Sequence, residues 1–384
     1  MTSARLAAVL LGSLLVSAGP PPAEQAPPSP QLAPPSPQAA PPSPQLAPPS
    51  PQPSLPAPAT PVARPAGGGG QKQRGVALGL FAEDVSFSYG PLLEEIAAIG
   101  ASHVALVVPL YQEHAGSNTL RLHTRFSPTL AATAEAVRAA KRAGLEVTLF
   151  PIVRLDAPRT PNEWRGTLAP ASRPAWFESY EALLGDLAAV AAATGATRLV
   201  VGSELSSLDG QEDLPRWRLV VERIRAIFSG GLVYSANWDH YRETRLFDLV
   251  DEIGLAGYFN LRDKDGPSDV DSLAGRWRAL RAQIENWLAG RGKPLLITEL
   301  GYRSRAGSSA SPWDEGPGGT VDLDEQRRCF AAFRRAWIDP GTPAALLDGF
   351  YVWNWYGFGG PTSASYTPRG KPALEEVRRL LQQL

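Results

Sequence analysis

The chain has 384 residues, and 20 of its 38 prolines precede Gln71 while all ten tryptophans follow it. Charge is equally lopsided: the first 70 residues carry only Arg5, Glu24 and Arg64, leaving 35 basic against 37 acidic residues in the remainder. That near-neutral balance argues against nucleic acid or an anionic membrane surface as the main partner. A single cysteine, Cys329, and four scattered histidines exclude a disulfide framework and a cysteine-based metal cluster and speak against a histidine-rich metal site.

Residues 1–18 read as a secretory signal: Arg5 supplies the positive start, Leu6 to Val16 the apolar stretch, and Val16-Ser17-Ala18 a small-residue cleavage site. The apolar run falls short of the roughly 20 residues of a spanning helix, so no membrane insertion is expected after cleavage. Within residues 19–70, Pro-Pro-Ser-Pro-Gln recurs every seven residues from Pro27, Pro34, Pro41 and Pro48, and Gly67 to Gly70 end the tract. Proline locks φ and removes donors, so this segment is expected to be a disordered, extended linker with no core of its own.

From residue 71 to 384 the pattern turns regular. Apolar runs of strand length stand at Val76–Phe81, Val104–Leu110, Glu146–Ile152, Arg198–Gly202, Leu232–Ala236, Ile253–Tyr258, Pro294–Thr298 and Gly349–Trp355. Amphipathic stretches of helical period separate them, among them Leu130–Ala143, Trp176–Ala193, Trp217–Phe228, Ala274–Leu288 and Glu325–Trp337, and Pro372–Leu384 closes the chain. Short, nearly all-apolar strands joined by helical crossovers predict a parallel sheet covered on both faces. Eight such units predict a (β/α)8 TIM barrel, as one domain. The rival, a doubly wound sheet, calls for a glycine-rich loop after the first strand, where this chain has Phe81-Ala82-Glu83-Asp84.

Barrel chemistry sits at the carboxyl ends of strands. The fourth strand ends in Gly202-Ser203-Glu204 and the seventh in Ile297-Thr298-Glu299. Strict alternation puts Glu204 on the face of Val200 and Gly202, and Glu299 on the face of Leu295 and Ile297. Two carboxylates across one mouth suit glycosidic bond cleavage, one as proton donor and the other as attacking group. Structural alternatives stand beside this reading: Glu204 as an acid at a helix N-terminus, Glu299 as the ion-pair partner of Arg303 or Arg305. Asn237 and Trp238 after the fifth strand, Tyr258 at the end of the sixth, and Trp353 and Trp355 in the eighth are expected to line a saccharide cleft. Apolar rings match the flat faces of sugars and amides match their hydroxyls, although each ring alone fits core packing equally well. Tyr258 is positioned to donate a hydrogen bond to Glu299. The segment Ser304–Asp322, with Trp313-Asp314-Glu315 as its bulky group, reads either as a cover over a subsite or as a mobile loop.

Together Gly202-Ser203-Glu204-Leu205, Ser235 through Tyr241 (Ser-Ala-Asn-Trp-Asp-His-Tyr), Ile297 through Ser304 and Val352-Trp353-Asn354-Trp355 resemble glycoside hydrolase family 113, clan A barrels associated with β-1,4-mannan hydrolysis. The resemblance implies Glu204 as acid/base, Glu299 as nucleophile and retention of configuration. It matches Tyr258 to the clan's strand-six tyrosine and Trp353 to its strand-eight tryptophan. Many clan members carry asparagine before the acid/base, where it binds the sugar 2-hydroxyl; Ser203 stands there in this chain. The expectation is thus an exported monomeric enzyme, secreted or in the periplasm or cell envelope, acting on a β-linked oligo- or polysaccharide without cofactor or metal. A non-catalytic saccharide-binding barrel is the alternative of another class, and a different β-glycan the alternative of the same mechanism.

Overall fold

The computed structural model describes residues 72–384 apart from Val85, Pro317 and Gly318; the leader and the proline-rich tract lie outside the described residues. Eight parallel strands close into a barrel in chain order. They are β1 Gln73–Gly79, β2 His103–Gln112, β3 Glu146–Leu155, β4 Arg198–Ser203, β5 Gly231–Ala236, β6 Glu252–Ala256, β7 Leu295–Leu300 and β8 Leu347–Trp355. Seven α-helices cover them: α1 Gly90–Ala98, α2 Leu130–Arg142, α3 Arg173–Thr194, α4 Leu214–Ile227, α5 Val270–Leu288, α6 Leu323–Phe333 and α7 Ala373–Gln383. The regular alternation breaks once. Between β5 and β6 the chain makes only a 3-10 turn at Leu246–Leu249.

Helix α2 starts at Leu130 as expected, whereas α3, α5 and α6 start two to four residues before the expected Trp176, Ala274 and Glu325. Thr129, Ser172, Asp269 and Asp322 each accept the third backbone N–H of α2, α3, α5 and α6. Gly144 and Gly290, just past the ends of α2 and α5, take left-handed φ of 80° each.

Two cores result. Outward side chains such as Leu106, Leu199, Leu255 and Ile297 pack under the helices with Trp176, Trp217, Trp277 and Trp337, all four fully buried. Inward side chains fill the barrel, with Ala77, Ala105, Val107, Phe150, Val200, Val233, Leu296 and Tyr351 in one cluster. The amino end of the barrel is plugged by polar groups. Gln73 donates to Glu252 and Asp348 at 2.9 and 2.6 Å, Arg198 donates to Glu252 at 2.8 Å, and the Tyr351 hydroxyl meets Thr148 at 2.8 Å. With that end closed, the opposite end is left for chemistry.

Small residues let β1 and β8 meet. A Cβ on Gly349 would stand 2.2 Å from the Gln73 carbonyl oxygen, whereas one on Gly185 in α3 would meet only Ile227 Cδ1 at 3.9 Å. Gly349→Ala is therefore expected to cost about 1–3 kcal/mol and lower the thermal midpoint by several degrees, while Gly185→Ala leaves it unchanged or raises it. Thermal unfolding of the two variants beside the parent checks this.

Candidate active site

Three inserted residues shape the carboxyl end of the barrel. Between β4 and β5, Val200 pairs with Val233 but Gly202 pairs with Tyr234. Val201 and Gly202 thus both face outward: Val201 lies in the outer core, and a Cβ on Gly202 would meet the Tyr234 ring at 2.9 Å. Between β6 and β7, Leu255 pairs with Ile297 while Ala256 pairs with Glu299. Leu295 and Ile297 belong to the outer core and Leu296 to the inner one, so unbroken alternation would have turned Glu299 outward. The extra residue reverses the parity and sets Glu299 beside inward-facing Ala256. The faces expected from strict alternation are corrected accordingly, since a β-bulge re-aims the side chains beyond it.

Glu204 follows the end of β4 with φ at 52°, the one non-glycine residue with positive φ among the described residues. Its backbone N–H donates to the Ser235 carbonyl at 2.7 Å. Behind this turn, the Tyr234 hydroxyl accepts the Leu205 N–H at 3.2 Å and donates to Asp209 at 2.9 Å. Asp209 also meets Thr244 and His240, each at 2.9 Å. A costly backbone conformation persists where its surroundings over-determine it, as they do here.

The two carboxyl groups are 3% and 1% exposed for Glu204 and Glu299. An Arg165 Nη donates to Glu204 Oε2, reaching it from a 3-10 turn, Arg165–Thr167, in the loop after β3. The Tyr258 hydroxyl donates to Glu299 Oε2 at 2.8 Å, the bond expected from the sequence, and Glu299 Oε1 is buried with no partner. Burial, and then the charge of Glu204, push Glu299 above the ordinary carboxylate range; Arg165 and the Tyr258 bond oppose them without prevailing. Burial would lower the Arg165 guanidinium, but Glu204, Glu299 and Glu315 together outweigh it and keep the cation. Arg303 and Arg305 do not reach Glu299; they bond to Gly316 and Asp314 in the loop after β7.

The other expected residues divide. Ser203 lies under the pair, its Oγ buried and unpartnered. Beside it the Ser235 and Thr298 hydroxyls meet at 2.6 Å. Tyr258 and Trp353 belong to the inward cluster with Tyr366, and the partly buried Trp238 packs against it. Asn237 spends its amide locally, donating to Asp239 at 2.9 Å and accepting the Trp238 N–H at 3.0 Å. Trp355 does not join the cleft. Val76 pairs with Val352 but Leu78 pairs with Trp355, and this inserted residue turns the indole outward to donate to Glu95 on α1 at 3.2 Å. The geometry also brings in Arg165, Glu315, Asn354 and Tyr366, which the reading of strand ends passes over. Arg165, Glu315 and Tyr366 sit well out in loops, where neither alternation nor strand register points to a side chain. Asn354 is the exception: it occupies a strand end between two tryptophans already singled out.

The sequence model of Glycoside Hydrolase Family 113 matches residues 88–363. Among solved structures, a GH113 β-mannanase from Alicyclobacillus acidocaldarius is similar at 26% identity and a TM-score of 0.70, over 81% of this chain and 97% of that one. A GH113 β-1,4-mannanase is similar at 21% identity and a TM-score of 0.71, over 82% and 100%. A β-glucuronidase from Faecalibacterium prausnitzii shares the fold at 13% identity and a TM-score of 0.55, over 82% of this chain and 49% of that one. Among curated proteins none matches.

Burial of Glu299 has a consequence for stability. The folded chain favours its protonated form, whereas the unfolded chain ionises it near the ordinary value of 4.5. The folded state therefore holds the extra proton, and stability falls as pH rises from about 4.5 through neutrality. Glu299→Gln removes that slope: its melting midpoint is expected to match the parent's near pH 4 and exceed it by at least about 3 °C at pH 7. Melting curves at the two pH values check it, and a constant difference between variant and parent contradicts it.

Proposed function

The chain belongs to glycoside hydrolase family 113, and from that membership we propose that it cleaves β-1,4-mannosidic bonds in mannan or manno-oligosaccharides with retention of configuration. It is a glycoside hydrolase acting on a β-linked saccharide; the mannan substrate and the two-glutamate mechanism are our reading. The observation that carries the mechanism is the unequal treatment of the Glu299 oxygens. Oε2 accepts from Tyr258, while Oε1 is buried and free. Oε1 is the attacking oxygen, and Glu204 serves the glycosidic oxygen.

In the first step Glu204 gives its proton to the departing sugar while Glu299 Oε1 bonds to the anomeric carbon. Chemistry needs the charge on Glu299 and the proton on Glu204. The proton that burial holds on Glu299 passes to Glu204 as substrate binds, and positive charge developing on the sugar ring then favours the ionised Glu299. Tyr258 holds Glu299 in place through both states, since burial and the charge of Glu299 raise its hydroxyl and keep it a donor. Arg165 releases Glu204 for the protonated step and regains it when Glu204, now ionised, draws a proton from water in the second. Further groups suited to substrate hydroxyls are buried without partners: Ser203 Oγ, Arg165 Nε and Asn354 Oδ1. Leaving such atoms unpaired costs free energy, which substrate contacts recover. Ser203 stands where many clan members place asparagine, so the 2-hydroxyl meets one hydroxyl in place of an amide. We further propose export, on the signal-like residues 1–18, with the proline-rich tract as a spacer.

Glu204→Gln is expected to lose roughly 10²–10⁴-fold in kcat/KM on manno-oligosaccharides yet form the glycosyl-enzyme at near-parental rate from an aryl β-mannoside with a good leaving group. Glu299→Gln loses both activities. Steady-state and burst kinetics on the two substrates test this, and parental rates in either variant on the oligosaccharide overturn the reading.

A further inference from the structure

We propose that Trp313, with Asn260 beside it, forms a sugar-binding platform on the rim of the barrel mouth, away from the bond being cleaved, so that the enzyme recognises a chain of sugars and not only the unit it attacks. The inference rests on the reading of the substrate as a β-linked saccharide. Two tryptophans are substantially exposed among the described residues, Trp313 at 51% and Trp164 at 36%. The Arg165 guanidinium lies over the Trp164 ring at 5.7 Å from its centre. No aromatic or cationic partner covers Trp313 among the described residues.

An exposed indole on a mobile loop would mean little, but this one is held. Trp313 Nε1 donates to Asn260 Oδ1 at 3.2 Å, which fixes the ring by its edge. The preceding Pro312 carbonyl accepts from the Tyr366 hydroxyl at 2.6 Å. On the other side Arg305 donates to the Asp314 and Gly316 carbonyls at 2.9 and 3.0 Å, and Arg303 to Gly316 at 2.6 Å. The base of the same loop is tied down by Glu325, which accepts the Gly307 and Ser309 N–H groups at 2.9 Å each. Residues 303–316 thus form a braced shelf that presents one large apolar face to solvent.

The shelf adjoins the cleft. Tyr366, which holds Pro312, packs edge-on against Tyr258 at 6.1 Å between ring centres, and Tyr258 holds Glu299. Glu315, two residues beyond Trp313, lies close enough for its charge to act on both Glu299 and Arg165. Trp313 therefore stands at the edge of the site, a few contacts from the nucleophile. A fixed indole face matches the C–H face of a pyranose, and the amide of Asn260, whose Nδ2 makes no hydrogen bond among the described residues, matches a hydroxyl at its edge.

The test compares two substrates, mannohexaose and an activated aryl β-mannoside, in the full chain and in Trp313→Ala, Trp313→Phe and Asn260→Ala. Trp313→Ala is expected to lower kcat/KM on mannohexaose at least tenfold, mainly through KM, and to leave the aryl mannoside within twofold of the parent. Trp313→Phe restores most of the loss, and Asn260→Ala lies between. Equal losses on both substrates, or no loss on either, overturn the platform. Calorimetric titration with mannohexaose separates this inference from the function it rests on. A parent that binds the hexasaccharide without cleaving it sinks the catalytic reading alone, and its affinity relative to Trp313→Ala still decides the platform. A parent that neither binds nor cleaves sinks both.

Discussion

Two carboxyl groups are buried within reach of each other's charge at the mouth of this barrel, and burial and like charge together oppose the ionisation of both. Much of the surrounding structure answers to that constraint. Arg165 supplies a compensating cation to Glu204, and Tyr258 supplies a donor to Glu299. Neither offsets burial and the charge of Glu204, which together still push Glu299 upward. A fully satisfied ion pair at either carboxylate would resist the change of role that the proposed double displacement asks of it.

The backbone contributes through its irregularities. A perfectly alternating β7 would face Glu299 into the helix layer. Strands β4 and β7 each spend an inserted residue at the carboxyl end, and Glu204 adds a positive φ braced by Tyr234, Asp209, Thr244 and His240. Below these bulges the barrel is ordinary, with small inner residues where strands crowd and a polar plug at the far end. Regular structure builds the scaffold, and departures from it aim the side chains.

That division explains what could be read from the residues alone. The eight strands were legible because strands buried on both faces must be nearly continuous apolar runs, and the two glutamates were legible because each interrupts such a run at its end. Tyr258 followed from its place on the strand next to Glu299. The facing of Glu299 was reached by an alternation that the bulge then reversed, and Trp355 was assigned to the cleft from its place near the end of the eighth strand, where a third inserted residue turns it outward. Bulges leave little trace in composition or period. Arg165 was silent for another reason: it comes from the loop after β3, whose path over the mouth depends on tertiary bonds that no local pattern encodes. Asn237, by contrast, was placed correctly at a strand end but satisfies its amide within its own turn.

The claim on which the account turns is that Glu299 becomes covalently bound to the sugar while Glu204 handles the proton. Incubation with a 2-deoxy-2-fluoro β-mannoside bearing a good leaving group, followed by peptide mass analysis, tests it directly. One fluorosugar on the peptide containing Glu299, with loss of activity as it accumulates, is the predicted result. Turnover of unmodified mannoside to an inverted product, or a label on another residue, would contradict it.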